Sequence, residues 1–340
     1  MNEPSAFPSR IAALLDRDDV DGLCAALVEL LSRTDGADQL RALDAAGLLT
    51  RLIPELEPAR GTDQPYVHFL PVLGHSLEAV TVVEWLLRQI AGEEIAQPGD
   101  AQPPTPHSRL PAAIQAHPEL RYASVYRAEL RQHFAEKVGA HYPRAALFKL
   151  GTLLHDIAKP QTKQDKPGGG VSFHEHQSIG GEIALAIARR LGFDDLAAGY
   201  IRTIVREHMR PGQLAALDEV TLRAVQRFFY ATGDAGPDVL LHLLADHMAT
   251  RGPNLNVFAW IAQARWIDAL LDLIWGKEPE VTPALLDGNE LMRELGLRPG
   301  PLIGRLLAAI GEAQAGGEIA TREEALALAR RRLGDRAGMV

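Results

Sequence analysis

The sequence predicts an all-α protein, and three observations carry that expectation. Apolar residues recur at helical spacing along nearly all of the 340-residue chain. No run alternates apolar and polar residues between turn signals, as a half-buried strand would. The clearest interruptions are proline- and glycine-rich stretches that separate one periodic segment from the next. Hydrophobic residues make up 46% of the chain, enough to bury a substantial core. Charged residues, at 23%, are typical of a globular protein, and the length suits one large domain or two ordinary ones.

The elements follow in order. Ile11, Leu14 and Leu15 open the first apolar stripe, and Leu40, Leu43, Leu48 and Leu52 form another. Between them Cys24 lies in the apolar run Leu23 to Leu31 and reads as a small core residue. Asp19-Val20-Asp21 reads as a solvated turn or a helix start. Val72 to Ile90 is a longer amphipathic segment. Residues 92–118 hold six prolines and no aromatic residue, so a surface loop or flexible insertion is expected there. Further helices are expected over 121–138, 144–158, 177–191, 196–208, 219–231 and 236–250, then over 255–275, 283–295, 300–315 and 321–334. Lys159 to Gly170, with two prolines and three consecutive glycines, reads as a loop, and Pro160 as the end of the helix before it. Arg298-Pro299-Gly300-Pro301 stops one helix and starts the next. No tandem repeat of fixed period is present.

Several function classes recede on composition. The single cysteine excludes an intrachain disulfide and suits a reducing cytoplasm, which is the expected location. The start of the chain has neither a basic region nor an apolar signal core, and no stretch approaches about 18 uninterrupted apolar residues. No membrane partner is expected. The net charge of −9 argues against avid, nonspecific nucleic-acid binding, without excluding a local basic pocket.

An ordered set stands out among the twelve histidines: His75, His155-Asp156, His176, His208 and Asp246. Neutral imidazole and carboxylate suit divalent transition metals. Helical bundles build such sites from side chains on facing helices, and most of these residues fall on separate expected helices or helix ends. The stretch Leu153-Leu154-His155-Asp156-Ile157-Ala158-Lys159-Pro160 is the strongest local signal. For the His-Asp pair alone, a solvated helix terminus competes on even terms with a ligand pair. Asp246, set between Leu243-Leu244 and Met248, needs a metal or cationic partner if buried.

The stretch Leu150 to Thr162 resembles the signature of the HD superfamily of metal-dependent phosphohydrolases. The likeness extends to Pro54-Glu55-Leu56, Gln64, His68 and Leu73-Gly74-His75-Ser76-Leu77. It continues through Phe173-His174-Glu175-His176 with Gly180-Gly181, Val205 to Pro211, and Leu244 to Gly252. Leu286 to Met292, Pro299-Gly300-Pro301 and Thr321 to Ala325 further resemble the C-terminal regions of bacterial CCA-adding tRNA nucleotidyltransferases and poly(A) polymerase-like proteins. Those polymerases carry a nucleotidyltransferase head with a glycine turn and a carboxylate pair on a strand. This sequence begins with helices instead, so nucleotide addition by the chain alone is not expected.

The resemblance implies an HD-domain helical bundle over 61–252, containing the 92–118 insertion, between an N-terminal helical segment (1–60) and a C-terminal helical region (253–340). It implies one or two divalent ions (Mg, Mn, Fe, Ni, Co or Zn) held by His75, His155, Asp156, His176, His208 and Asp246. His176 and His208 complete a second metal position or bind substrate phosphate. Asp156 and Lys159 are the catalytic candidates, with Lys159, Lys163, Arg206 and Arg210 as phosphate contacts. Lys163 and Lys166 equally suit a solvated loop, and Glu207 is a candidate partner for a ligand histidine. His242 is the reserve ligand, and His68 either lines the cleft or packs. His107, His117, His133 and His141 are expected at the surface. The implied partner is a phosphate-containing small molecule, such as a nucleotide, or an RNA end. RNA itself is the alternative, in a non-catalytic binding module or the HD half of a split nucleotidyltransferase. Arg330-Arg331-Arg332, expected to end the last helix, suits the helix dipole or, less readily, an RNA backbone.

Overall fold

The computed structural model describes residues 7–93, 109–139, 141–167, 169–276, 285–315 and 318–337. Most of the proline-rich segment, with His107, lies outside the described residues. Contacts divide the chain into two compact units, Met1–Trp275 and Gly276–Val340.

The first unit is helical, as the spacing implies. It comprises α1 (Phe7–Leu15), α2 (Val20–Ser32), α3 (Gly36–Ala45), α4 (Leu49–Leu52), α5 (Val72–Ala91), α6 (Ala112–Ala116) and α7 (Arg127–Ala135). It continues with α8 (Arg144–Leu154), α9 (Lys159–Thr162), α10 (His176–Arg190), α11 (Asp195–Glu207), α12 (Arg210–Ala215), α13 (Leu222–Thr232), α14 (Gly236–Arg251) and α15 (Val257–Trp275). A 3-10 segment, Pro54–Gly61, precedes α5. Helix α15, grouped on the sequence with the C-terminal region, packs on α14 and joins the core of this unit. Asp19 caps α2, its carboxylate accepting from Gly22 N at 2.9 Å, which settles the Asp19-Val20-Asp21 run as a helix start. Cys24 is buried in the core. In the second unit, α16 (Gly288–Leu295), α17 (Pro301–Ala315) and α18 (Arg322–Ala337) enclose a small core around Leu291, Ile310 and Ala325. Gly296 ends α16 at φ +62° and Pro301 begins α17.

Some expectations shift. Two antiparallel two-stranded hairpins form among the described residues, one pairing Lys137–Val138 with Tyr142–Pro143, the other Lys163–Asp165 with Val171–Phe173. The helix expected over 121–138 is therefore shorter, and the Lys159–Gly170 loop starts as a helical turn and a strand. Pro160 does not end a helix. It occupies the first turn of α9, where its missing N–H has no partner to lose. The triple arginine lies inside α18 rather than at its end, which weakens the dipole reading. His133, expected at the surface, is buried: its Nε2 lies 2.7 Å from Asp238, which also accepts from Tyr200 at 2.5 Å.

Helix α5 is apolar nearly all round and forms the central element, packed by α3, α7, α8 and α14. A buried ion pair ties it to α8: Lys149 Nζ lies 2.8 Å from Glu84 and donates to the Arg33 carbonyl at 2.6 Å. Glycines set the approach of the helices around the site. A Cβ on Gly151 of α8 would meet Ile204 of α11 at 2.9 Å, and one on Gly181 of α10 would meet Arg206 at 3.1 Å.

Candidate metal centre

Five stretches deliver the six ordered residues to one buried spot. His75 lies in the first turn of α5, and His155 and Asp156 follow the last turn of α8. His176 opens α10, His208 follows α11, and Asp246 projects from α14. Glu175, just before His176, holds φ +60°, a conformation costly for a residue with a Cβ and one that concentrates at functional sites.

Two triads share Asp156. In the first, His75 Nε2 lies 3.2 Å from His155 Nε2, 3.0 Å from Asp246 Oδ1 and 3.6 Å from Asp156 Oδ2. His155 Nε2 is 3.1 Å from the same Oδ2. In the second, His176 Nε2 and His208 Nε2 stand 3.3 Å apart, at 3.4 and 3.8 Å from Asp156 Oδ1. Either triad, His75-His155-Asp156 or Asp156-His176-His208, could hold a metal ion.

The tautomers follow from backbone acceptors. Nδ1 of His155 lies 2.8 Å from Thr152 O, that of His176 2.8 Å from Phe173 O, and that of His208 2.7 Å from Val205 O. A carbonyl can only accept, so each Nδ1 carries the proton and each Nε2 turns inward. Burial lowers the pKa of His176, and burial with the nearby His155 pushes His208 down to about 3. Both rings are therefore neutral at pH 7. Two lone pairs then converge with Asp156 Oδ1, a buried atom with no hydrogen-bond donor. Three acceptors facing one point without a donor is an arrangement that a cation satisfies, and the donor set fits a divalent ion.

Around the first triad, charge is balanced internally. Burial opposes ionisation of His155, but Asp156 and then Asp246 outweigh it and push the ring up to about 10. Burial would raise the Asp156 carboxyl, yet the facing charges of His155 and Lys159 hold it well below the ordinary value. Lys159 Nζ sits 2.6 Å from Asp156 Oδ2 and donates to Gln64 Oε1 at 2.6 Å.

The other candidates divide. Lys159 is at the centre, whereas Lys163 is exposed on the hairpin. Arg206 and Arg210 line a small polar cavity of about 140 Å³ with Gln177, Ser178, Glu207 and Gln213. Glu207 pairs with Arg210 at 2.5 Å and Arg206 at 3.6 Å, so its partners are these arginines. His242 is wholly buried, its ring 4.7 Å from that of His155, with Nδ1 3.3 Å from Thr152 Oγ1. It falls outside both triads. His68 stands edge-on to His75 at 5.4 Å, and burial, then Lys159, lowers its pKa to about 4. Thr152 and the three carbonyl acceptors carry no signal that sequence spacing reveals.

Residues 124–247 match the HD domain family model. The matched span contains His155, Asp156, His176, His208 and Asp246, and begins after His75. Over nearly nine-tenths of its length the chain is similar to two tRNA nucleotidyltransferases. It is 31% identical over 306 residues to the A-adding tRNA nucleotidyltransferase of Deinococcus radiodurans, covering 89% of this chain and 56% of that protein. It is also 31% identical over 303 residues to the CC-adding tRNA nucleotidyltransferase of Thermus thermophilus, covering 88% and 54%. The chain thus spans about half the length of the curated relatives it matches. No helix among the described residues is long and apolar enough to cross a membrane.

Proposed function

We propose that the chain is a metal-dependent phosphohydrolase acting on a nucleotide, a cyclic nucleotide or the phosphoester of an RNA end. The observation that carries this reading is the pair of His/Asp triads with Asp156 as their common edge. A divalent ion in such a site supplies Lewis acidity toward phosphoryl oxygens and lowers the pKa of water. The chain's own residues do the rest. The carbonyls of Thr152, Phe173 and Val205 hold three imidazoles in the ligating tautomer. Lys159, pinned between Asp156 and Gln64, places a positive charge beside the reacting phosphate, where it stabilises negative charge developing in the transition state. Arg206 and Arg210, at the neighbouring cavity, supply further positive charge for substrate phosphate.

The test is turnover. Protein loaded in turn with Mn, Fe, Ni, Co, Zn or Mg is assayed against aryl phosphoesters, a nucleotide and cyclic-nucleotide panel, and RNA bearing a terminal phosphate. Metal-dependent release of phosphate or a phosphomonoester, lost in Asp156→Asn, is expected. Absence of turnover with every metal removes the proposal.

A second reading draws on the relatives, whose similarity covers nearly nine-tenths of the chain. In it the chain is a tRNA- or RNA-binding body, or the HD half of a split nucleotidyltransferase. Salt-dependent tRNA binding that survives chelation and His155→Ala, with no hydrolysis, favours the body. Co-purification with a nucleotidyltransferase head favours the split enzyme.

A further inference from the structure

Helix α13 carries an exposed, net positive face in an otherwise acidic chain. Its sequence, Leu222-Arg223-Ala224-Val225-Gln226-Arg227-Phe228-Phe229-Tyr230-Ala231-Thr232, contains two arginines and no carboxylate. Val225 and Phe228 face the core, which turns Arg223, Gln226, Arg227 and Tyr230 outward. These four sit at i, i+3, i+4 and i+7, a single stripe about 10 Å long. Neither arginine has an ion-pair partner among the described residues. By contrast Arg202, Arg206 and Arg210 all pair with Glu182 or Glu207. Tyr230 is 93% exposed and Leu222 59%. Asp218 and Glu219 lie before the helix, where acids suit the positive end of its dipole, and Asp234 beyond it is held by Arg144.

We infer that this stripe is a docking surface for single-stranded RNA. Two unpaired guanidiniums one turn apart offer contacts to neighbouring phosphates, and they create local positive charge that the net charge of −9 conceals. An aromatic ring in almost full contact with water is a platform on which a base stacks, as in single-strand binding sites. Gln226, between the arginines, offers an amide that can donate to and accept from a 2′-hydroxyl. An acidic peptide would use the arginines but leave the tyrosine without a role. A membrane surface would call for lysine or arginine over a wider apolar face than Leu222 alone supplies. The placement also fits the metal centre: α12 follows His208 almost directly and packs against α13. The inference deepens the proposed hydrolase by naming RNA as the phosphate carrier, but the surface binds whether or not hydrolysis occurs.

The experiment is fluorescence anisotropy with a labelled 12-nucleotide RNA and the DNA of the same sequence. The full chain is titrated with and without chelator, at several salt concentrations. The variants are Arg223→Glu/Arg227→Glu and Tyr230→Ala, with melting temperature and metal content as controls for folding. Both variants alter exposed residues and should melt like the parent. The charge reversal is expected to weaken RNA binding at least ten-fold and to reduce the salt slope by about 1.4, for two phosphate contacts. Tyr230→Ala should weaken it about five-fold or more with the salt slope unchanged. Chelator should change neither result, which separates this inference from the hydrolase reading. The inference is overturned if the parent binds no RNA, if both variants bind as the parent does, or if DNA binds as tightly. It is equally overturned if polyglutamate or anionic vesicles, rather than RNA, are the ligand that the charge reversal releases.

Discussion

Gly151→Ala tests whether the close approach of α8 and α11 is what sets the metal centre. Gly151 lies four residues before His155, and Ile204, against which it packs, lies four residues before His208. A Cβ at 151 would stand 2.9 Å from both Cβ and Cγ2 of Ile204, about 0.5 Å short of ordinary contact. The near atoms belong to a β-branched side chain held stiffly at χ1, so the helices must separate. Overpacking of this kind costs about 1–3 kcal/mol, only partly offset by the roughly 0.5–1 kcal/mol that alanine contributes inside a helix. The expected fall in melting temperature is about 2–8 °C. A shift of about 0.5 Å exceeds the roughly 0.2 Å tolerance of ligand distances, so metal affinity should drop about 10- to 100-fold. Calorimetric titration with Mn(II), alongside scanning calorimetry of the chelated protein, reads both effects. Gly74→Ala is the matched control: it adjoins His75, but its Cβ would meet nothing nearer than Leu70 at 3.5 Å, an ordinary contact. It should keep the parental affinity and melt no lower. Parental metal affinity in Gly151→Ala, or equal damage from Gly74→Ala, would refute the reasoning.

The remaining expectations concern ligands, protons and packing. His176→Ala should remove metal from the Asp156-His176-His208 triad only, while Asp156→Asn empties both; elemental analysis showing the same metal content in the two variants would sink the shared-edge arrangement. With chelator present, His208 is neutral in the folded chain down to about pH 3, whereas the unfolded ring titrates near 6.5. The unfolded state therefore binds the extra proton, and stability falls as pH drops through that window, by about 1.4 kcal/mol per unit from this ring. Urea unfolding at pH 6.5, 5.5 and 4.5 should show a shallower decline in His208→Gln, and an unchanged slope would contradict the assignment. Lys149→Met strands the buried Glu84 carboxylate, whose pKa burial already raises, and should cost about 3–5 kcal/mol. Lys149→Met/Glu84→Gln should recover most of it, since glutamine still accepts from Ala37 N; a single-variant loss under about 1 kcal/mol would show the pair to be dispensable.

The helices were legible because a buried face writes its period into the chain: α5, α10, α11 and α14 are where apolar spacing puts them. What spacing missed is decided by tertiary partners. His133 reads as a surface residue beside a variable loop, yet Asp238, more than one hundred positions away, draws it inward. Pro160 reads as a helix stop because proline disrupts helix interiors, but in a first turn it starts one. The two hairpins are too short, at two and three residues per strand, to show any alternation. The six ordered His and Asp residues were legible as types, and the structure brings all six together. A second position completed by His176 and His208 was among the sequence readings; the sharing of Asp156 between two triads was not, because it depends on which oxygen of Asp156 each imidazole faces. The separation of Lys159 from Lys163 was half legible, Lys163 suiting a solvated loop as well as a phosphate contact. Only three residues lie between a side chain at the centre and one on an exposed strand, and the turn at α9 decides between them.

The position of His155, His176 and His208 at the ends of helices has a physical consequence. Inside a helix, carbonyls are occupied by the amides four residues on; in the last turn they are free. Val205 O is such a carbonyl; Thr152 O takes the His155 N–H at 3.4 Å as well as the ring, and Phe173 O, at the end of a strand, serves His176 in the same way. Each imidazole thus acquires a fixed tautomer from the backbone three residues earlier, with no need of a partner side chain. His75, inside α5, has no such acceptor, and its buried Nδ1 has no hydrogen-bond partner. Its orientation rests instead on packing between the rings of His68 and His155. Without a metal, His155 and Lys159 supply the positive charge that Asp156 requires. The second triad has no such substitute: its two imidazoles are neutral and Asp156 Oδ1 lacks a donor. Metal entering there gains three ready acceptors and displaces no proton, whereas metal entering beside His155 must first expel one. Affinity on the His155 side should therefore climb with pH across the neutral range, while the His176-His208 side stays nearly flat.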